Sequence, residues 1–362
     1  PPRSTLFPYT TLFRSGLSKP RTKATGESKM AWEPAWSPDG KFIAFVDDKV
    51  RLRIVDVVKG TVSTVDTAGA NTERGDMGPV WSHDSGWLAY TKTGSNNFRQ
   101  IRIWSVKSDS IFTITNIFAD SFSPAWDRDG HHLYFLASTN LALGSGWANT
   151  SSITSDPTYG VYIINLRKDD PSPFKPKSDE ESVTAEKKQE TVVKKTGGKK
   201  LQEKNESKDT TKTNAGTPVT VVIDLENIER RIISMPLTRG NYRMLLAGPA
   251  GTLFIGQQKA DVTGFVIQKY TLEKREAKEY ASGVTQVSVS GDGNKILAKI
   301  GSDWKIMNTA SATGADGKSV RISLKTLLDR SEEWKQIFEE AWRYERDYFY
   351  DQIGRASCRE RV

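Results

Sequence analysis

The sequence predicts an all-β fold, a β-propeller built from four-stranded blades, followed by one amphipathic α-helix. Three observations support this prediction. A turn signature that contains a tryptophan recurs at 45-residue intervals, at Trp36, Trp81 and Trp126. A second pair of strand-like segments follows each signature. After Ser319 the apolar residues change from the alternating spacing of strands to the i, i+3, i+4 spacing of a helix.

The turn signature is found in five places along the chain. Its clearest copy reads PAWSPDGKFIAF at residues 34–45, and further copies lie at 79–90 and 124–135. Weaker copies lie at 245–255 and 287–298. Self-similarity with a period of about 40–45 residues is typical of propeller blades. About five blades are therefore visible, and since a closed ring commonly has about six to eight blades, the propeller is expected to be incomplete.

Each signature predicts a tight hairpin. Pro38 presets the φ angle of the turn, Asp39 caps it, and Gly40 accommodates the strained dihedral. Residues 42–46 are apolar throughout. A strand that is apolar on both faces is expected where one sheet packs between two others.

A second strand pair follows each hairpin and completes a four-stranded unit. The segments concerned are 51–57 with 61–65, 100–106 with 111–114, and the later equivalents 160–166 and 265–270. Strands at this spacing could also build a β-sandwich, but a sandwich does not repeat its turn sequence. The repeat therefore favours the propeller.

The repeat pattern stops between about 168 and 216. From Lys168 to Lys212 there are twelve lysines and ten acidic residues, with no tryptophan or tyrosine. Such a stretch cannot bury enough apolar surface to offset its ordering entropy, so we predict a disordered polyampholyte insert within the third blade. A basic nucleic-acid-binding tract is the alternative, but the charge is nearly balanced and no tryptophan or tyrosine is interleaved for base stacking. Residues 218–223 are predicted to be the strand that completes the third blade.

The two ends, residues 1–15 and 353–362, resemble one sequencing-adapter DNA string translated on opposite strands, and we set them apart from the fold. They contain five arginines and one glutamate, so without them the net charge falls from +8 to +4. The single cysteine, Cys358, also lies there, and one cysteine cannot form an internal disulfide. We expect both true termini to be missing. No apolar run approaches the ~18 residues of a membrane-spanning helix.

Residues 321–352 are predicted to form the first helix of another domain. Apolar residues from Leu324 to Tyr348 recur mostly three or four positions apart, and Asp329 followed by Glu332 is a variant of the capping box. The repeats at 16–320 and the segment 333–351, EWKQIFEEAWRYERDYFYD, together resemble the tricorn protease family.

The resemblance implies a large serine peptidase that degrades short peptides, with two propellers before a core and a PDZ-like domain. This chain would then contain most of the second propeller and the start of the core. The catalytic serine and histidine of the family would lie beyond Gln352, so no catalytic residue is expected here.

A search for chemistry within the chain agrees with that expectation. We predict that the three histidines, His83, His131 and His132, are solvent-facing turn residues and not metal ligands, and we predict no metal or cofactor. The signature aspartates are predicted to stabilise turns: Asp39, Asp84, Asp129 and Asp292. The repeated tryptophans are predicted to pack between blades, and not to form an aromatic binding cage. No Gly-x-Ser-x-Gly elbow or phosphate-binding glycine loop occurs in the sequence.

The sequence thus favours a non-catalytic propeller that admits or guides peptides to a downstream proteolytic core. A protein-binding scaffold of the TolB kind and the propeller cap of a prolyl-oligopeptidase-like enzyme are the alternatives. The expected partners are peptides or unfolded segments and the chain's own downstream core, with no nucleic acid and no membrane span. A homo-oligomer is compatible with the sequence, and the resemblance favours the periplasm over the cytoplasm.

Overall fold

The computed structural model describes residues 28, 30–68, 75–139, 158–175, 219–321 and 329–348. The expectations for 1–15, for 353–362 and for most of the insert at 168–216 lie outside these residues. The chain divides into two units, 1–319 and 320–362, and each is treated by itself.

Two antiparallel sheets of four strands begin the first unit, each with its strands in sequence order. Blade 1 consists of β1 (Ala31–Trp36), β2 (Phe42–Asp47), β3 (Arg51–Asp56) and β4 (Val62–Thr67). Blade 2 consists of β5 (Val80–Trp81), β6 (Trp87–Thr93), β7 (Arg99–Ser105) and β8 (Ser110–Thr113). The predicted hairpins therefore form, with bounds that differ from the predicted segments by one or two residues.

Blade 3 corrects one prediction. It consists of β9 (Asp120–Trp126), β10 (His132–Ser138), β11 (Gly160–Asn165) and β12 (Ile232–Ser234). The fourth strand is thus β12, and not the segment 218–223. Within that segment the Val221 N–H donates to Asp84 Oδ2 at 2.8 Å, and its carbonyl accepts from the Trp87 indole at 3.3 Å. Both backbone groups of Val221 therefore bond to blade 2, and residues 219–223 form no strand of blade 3.

A seven-stranded sheet holds the last two blades. Its strands are β13 (Tyr242–Ala247), β14 (Thr252–Gln258), β15 (Phe265–Thr271), β16 (Glu276–Val289), β17 (Lys295–Ile300), β18 (Asp303–Asn308) and β19 (Lys318–Ser319). The 14-residue strand β16 pairs with β15 through its first half and with β17 through its second half. Gly283, with a φ of +71°, lies between the halves. β16 is therefore both the fourth strand of blade 4 and the first strand of blade 5.

The core lies between neighbouring blades. Each junction buries its own apolar cluster, for example Leu52 with Tyr90 between blades 1 and 2, and Phe254 with Ile296 between blades 4 and 5. Blades 2, 3 and 4 each have two neighbours and contribute to two clusters, which explains why their strands are apolar on both faces. The first strands contact one another in order, β1 with β5, β5 with β9, β9 with β13 and β13 with β16. The described residues form three antiparallel four-stranded sheets and one seven-stranded sheet that holds two blades, and these five blades confirm the predicted fold class.

The second unit contains the helix α1 (Arg330–Tyr348). The Asp329 carboxylate accepts hydrogen bonds from the N–H groups of Ser331 and Glu332 at 3.0 and 3.3 Å, as the predicted cap requires. Trp334 and Phe338 on this helix are exposed. Within the described residues, α1 included, no helix has the length and apolar content needed to cross a membrane.

Candidate functional site at the inner strands

The first strands of three blades share a backbone feature at the same repeat position. Glu33, Gly78 and Ser123 stand three residues before the repeated tryptophans, and all have positive φ, at 51°, 52° and 55°. Strand pairing shifts register next to Glu33 in β1 and next to Ser123 in β9. A bulge of this kind re-aims the side chain that it carries.

Two of these positions carry side chains, which link β1 to the start of blade 2 and β9 to β13. The Glu33 carboxylate accepts from the Gly78 N–H at 3.2 and 3.3 Å. Ser123 Oγ accepts from the Leu245 N–H at 2.9 Å. The first strands β1, β5, β9 and β13 are sheet edges, and these two side chains supply acceptors for N–H groups at the edge of the next blade. Burial raises the pKa of Glu33, and the Gly78 N–H offsets this only in part.

The sequence interpretation missed this feature. The signal available in the sequence is the fixed offset of three residues from each tryptophan, but the residues themselves, Glu, Gly and Ser, share no common chemistry.

The repeated tryptophans form the second link between blades. The Trp81 indole N–H donates to the Ala35 carbonyl, and that of Trp126 donates to the Val80 carbonyl, both at 3.0 Å. Trp81 and Trp126 are buried, as predicted for packing between blades, whereas Trp36 is 40% exposed. The two buried rings have no free face, so an aromatic binding cage does not fit them.

The signature aspartates stabilise their own turns, as predicted. Asp39 accepts from Ser37 Oγ at 2.7 Å, and Asp84 accepts from Ser82 Oγ at 2.6 Å. In the last copy the Asp292 carboxylate accepts from Ser290 Oγ at 2.5 Å, and this bond together with those from Asn294 lowers the pKa of Asp292 to about 2.

The third blade departs from this turn because Asp127 stands where the other strong copies have serine. Its carboxylate accepts from the Tyr134 hydroxyl at 2.5 Å and from the Gly251 N–H of blade 4 at 3.0 Å. Burial and the nearby charge of Asp129 raise the pKa of Asp127. Burial alone would also raise the pKa of Asp129, but the hydrogen bond and charge of His132 outweigh it and lower that pKa.

The same turn brings three possible metal ligands together. One ligand atom from each of Asp127, Asp129 and His132 lies within 4.8 Å of the others. The carboxylate oxygens already accept bonds from Tyr134, from Gly251 and from main-chain N–H groups of the turn. We therefore assign the cluster to hydrogen bonding between blades 3 and 4.

The predicted solvent-facing position of the histidines is wrong for two of them. His83 is half-buried with its Nε2 3.1 Å from the Trp126 carbonyl, and the side chain of His132 is 13% exposed with its Nδ1 2.5 Å from Asp129. His83 thus reaches the neighbouring blade, and His132 is held by an aspartate of its own turn. His131 stays 40% exposed and contacts Asp170 at 2.8 Å. Burial and the charge of Arg128 lower the pKa of His83.

Arg128 connects three blades from the same turn. One terminal nitrogen of its guanidinium donates to the Ala247 and Gly248 carbonyls at 2.7 and 2.5 Å. The other donates to the Ser290 and Gly291 carbonyls of blade 5 at 3.0 and 3.3 Å. Burial lowers the pKa of Arg128. Its contacts lie more than a hundred residues away, and the sequence interpretation missed them.

A glycine makes room for this arginine. A Cβ added at Gly293 would lie 2.7 Å from Arg128 Nε, and the φ of Gly293 is +76°. A side chain at this position would therefore displace the guanidinium from the turn of blade 5.

The described chemistry is that of hydrogen bonding and packing. None of the described histidines bonds to a serine, threonine or cysteine, since their partners are a carbonyl and two carboxylates. Acyl transfer by a histidine-activated nucleophile needs the two groups within hydrogen-bond reach, and the described histidines form no such pair.

Comparison with known proteins agrees with this architecture. Residues 12–310 match the family described as the tricorn protease second beta propeller domain. Tricorn protease homolog 1 of Streptomyces coelicolor is 25% identical over 91% of this chain and 30% of its own length. The tricorn protease of Thermoplasma volcanium is 22% identical over 90% of this chain and 29% of its own length.

A solved structure gives the same result for the fold. The crystal structure of the tricorn protease aligns with a TM-score of 0.66 and 18% identity, and the alignment covers 92% of this chain and 30% of that one. The chain thus spans about a third of the length of these relatives. Because the family match covers most of its residues, the chain belongs to the family of tricorn protease second β-propeller domains.

Proposed function

We propose that this propeller admits peptides to the proteolytic core of a longer, tricorn-like serine peptidase and does not itself cleave them. The observation that supports this most is the arrangement of the first strands. Of these, β1, β5, β9 and β13 are sheet edges that contact one another in order, so the edge backbone groups that the links between blades do not use lie on a common side. Backbone groups bind extended peptides without regard to side-chain sequence, as a passage for varied peptides requires.

The side chains exposed on these strands suit the same role. Arg243 on β13 and Thr285 and Gln286 on β16 are exposed and polar. Polar side chains offer hydrogen bonds to peptide groups, and Trp36 on β1 and Val80 on β5 add two exposed apolar side chains. The names of the relatives identify them as proteases, which supports a peptide as the ligand.

Photo-crosslinking on the full 362-residue chain tests the binding. Ten-residue peptides that carry a benzophenone side chain are irradiated with the protein, and the crosslinked residues are mapped by mass spectrometry. We expect crosslinks in β1, β9, β13 and the second half of β16. Crosslinks confined to the fourth strands, β4 and β8, would contradict the proposal.

A peptidase assay and the gene itself test the second half of the proposal. The chain alone should release no product from fluorogenic peptides, and turnover by the purified chain would show that catalytic groups are present. Downstream of codon 352, the gene should encode a PDZ-like domain and a serine peptidase core. A Gly-x-Ser-x-Gly domain there would favour the prolyl-oligopeptidase-like cap, and an early stop codon would favour the scaffold.

A further inference from the structure

A polar groove of about 390 Å³ lies on the side of blade 4 that faces blade 3. Its walls come from the segment between β12 and β13 and from the strands β14, β15 and β16. The residues that give it its chemistry are Arg239, Tyr242, Gln257, Gln268, Arg275 and Glu276. Tyr242 lies on a first strand, whereas Glu276 lies in the half of β16 that is the fourth strand of blade 4. The groove is therefore mostly distinct from the surface proposed above for peptide passage.

The groove carries an excess of positive charge. Arg239 is exposed, and its side chain makes no hydrogen bond or ion pair with the residues that the structure describes. Arg275 donates from one terminal nitrogen to the Pro173 and Lys175 carbonyls at 3.3 and 2.6 Å, which leaves its other N–H groups without a carboxylate. Glu276 is the one acidic residue of the lining, and its carboxylate lies 3.4 Å from the Lys278 ammonium.

Two carboxamides add neutral hydrogen-bonding groups. Gln268 Nε2 donates to Gln257 Oε1 at 2.7 Å, so Gln257 keeps its own NH₂ group as a donor. Gly240 lets that group lie against the backbone, because a Cβ at Gly240 would be 2.9 Å from Gln257 Nε2. The groove thus combines guanidinium and amide donors, the groups that bind carboxylates in a planar arrangement.

The segment that carries Arg239 is held in place before any ligand arrives. The Tyr242 hydroxyl donates to the Thr238 carbonyl at 2.8 Å. Gly240 and Tyr159 exchange backbone hydrogen bonds at 2.8 and 3.1 Å, which ties the segment to blade 3. The backbone of the segment therefore needs little ordering on binding, and preorganisation of this kind improves affinity.

We propose that this groove binds a carboxylate of a peptide, held by Arg239 and Arg275 and by the Gln257 amide. Ligand pockets have volumes of roughly 300–1,000 Å³, so the groove accommodates a short peptide segment and not a folded partner. The carboxylate can be a free C-terminus or an Asp or Glu side chain, since both offer the same two oxygens. The proposal does not depend on peptide passage along the first strands.

Fluorescence anisotropy with the full 362-residue chain tests the proposal. Three N-terminally dye-labelled peptides are compared: ASAA with a free C-terminus, ASAA amide and AEEA amide. We expect the amide without acidic residues to bind least, and binding of the carboxylate peptides to weaken as salt increases. Binding of free ASAA alone identifies the C-terminus as the ligand, and binding of AEEA amide identifies the acidic side chain.

Two variants and a control connect the binding to the groove. Arg239→Gln and Arg275→Gln should each weaken carboxylate binding by about fivefold or more, the range expected for a partly exposed charge-assisted bond. Arg230→Gln is the matched control, because Arg230 is exposed outside the groove and loses the same charge. Arg239 has no partner in the described structure, so its replacement leaves the fold intact even where that of Arg275 disturbs it.

Two results would overturn the proposal. The first is that all three peptides bind with equal affinity, or that none binds up to 5 mM, on the order of the weakest specific affinities. The second is that Arg239→Gln changes carboxylate binding no more than Arg230→Gln does. Neither result bears on passage along the first strands, whose test reads the position of crosslinks. Failure of one proposal is therefore distinguishable from failure of the other.

Discussion

Replacing tryptophan by phenylalanine at the same position of three repeats separates the link between blades from the turn that contains it. Trp81 and Trp126 are buried, and their indole N–H groups reach the preceding blade. Trp36 occupies the same place in the signature but is 40% exposed. The three substitutions change the same atoms, so any difference in their effects comes from the tertiary contacts.

The expected magnitude follows from two losses. Phenylalanine lacks the indole N–H, so the Val80 carbonyl loses its donor from Trp126, which costs about 1–2 kcal/mol at a partly buried site. The smaller ring leaves a void of roughly 40 Å³, which at about 24 cal/mol per Å³ costs about 1 kcal/mol more. Trp126→Phe and Trp81→Phe should therefore each lower the free energy of unfolding by about 2–3 kcal/mol. Trp36→Phe should lower it by less than about 1 kcal/mol.

Urea unfolding at pH 7 and 25 °C measures these differences. The signal should be far-UV circular dichroism, since the substitutions remove the fluorophore itself. With a slope of about 3 kcal/mol per M, a loss of 2–3 kcal/mol moves the midpoint by about 0.7–1 M. Equal slopes in all four proteins are the control that makes the midpoints comparable.

One result would refute the reasoning. If Trp36→Phe lowered the midpoint as much as Trp126→Phe, the tryptophan would stabilise its own hairpin, and the hydrogen bond to the neighbouring blade would contribute little. A small effect at both positions would lead to the same conclusion.

Four further predictions rest on other contacts. Arg128→Met removes four hydrogen bonds to blades 4 and 5 and should lower the free energy of unfolding by about 2–4 kcal/mol in urea. Burial alone would lower the pKa of His132, but the bond to Asp129 raises that pKa above its unfolded-state value. The interaction of His132 with Asp129 therefore stabilises the fold below pH ~6.5, and this stabilisation is lost as the pH rises through the folded-state pKa. His132→Gln should therefore destabilise more at pH 6 than at pH 8 in thermal unfolding. Burial lowers the pKa of His83, so protonation of this ring at low pH destabilises the fold. The stability of His83→Gln relative to the parent should therefore be higher at pH 5 than at pH 8. Asp329→Ala removes the cap of α1 and should weaken that helix by about 0.5–2 kcal/mol, read as lower helicity of a peptide that spans 327–348.

The sequence by itself determined the features that depend on near neighbours. The hairpins follow from turn chemistry within five residues, in which Ser37 and Asp39 bond to each other. The packing of blades between blades follows from strands that are apolar on both faces, and the start of α1 follows from Asp329. All of these features depend on residues that are close in sequence, and they recur in the copies of the repeat. The fold class and the number of visible blades could therefore be predicted.

Only the tertiary structure decided which distant groups meet. The sequence of 218–223 predicts a strand, but the Val221 N–H bonds to Asp84 of blade 2. The fourth strand of blade 3 is β12, which pairs with β11. β16 serves two blades because its two halves pair with different strands. The partners of Arg128 and Ser123 lie more than a hundred residues away. Alternation and turn residues specify which face of a strand is buried, but they do not specify which backbone group of a neighbouring blade lies within hydrogen-bond distance. That choice depends on how the blades pack, because an unpaired N–H or carbonyl is satisfied by whichever group the packing brings within reach.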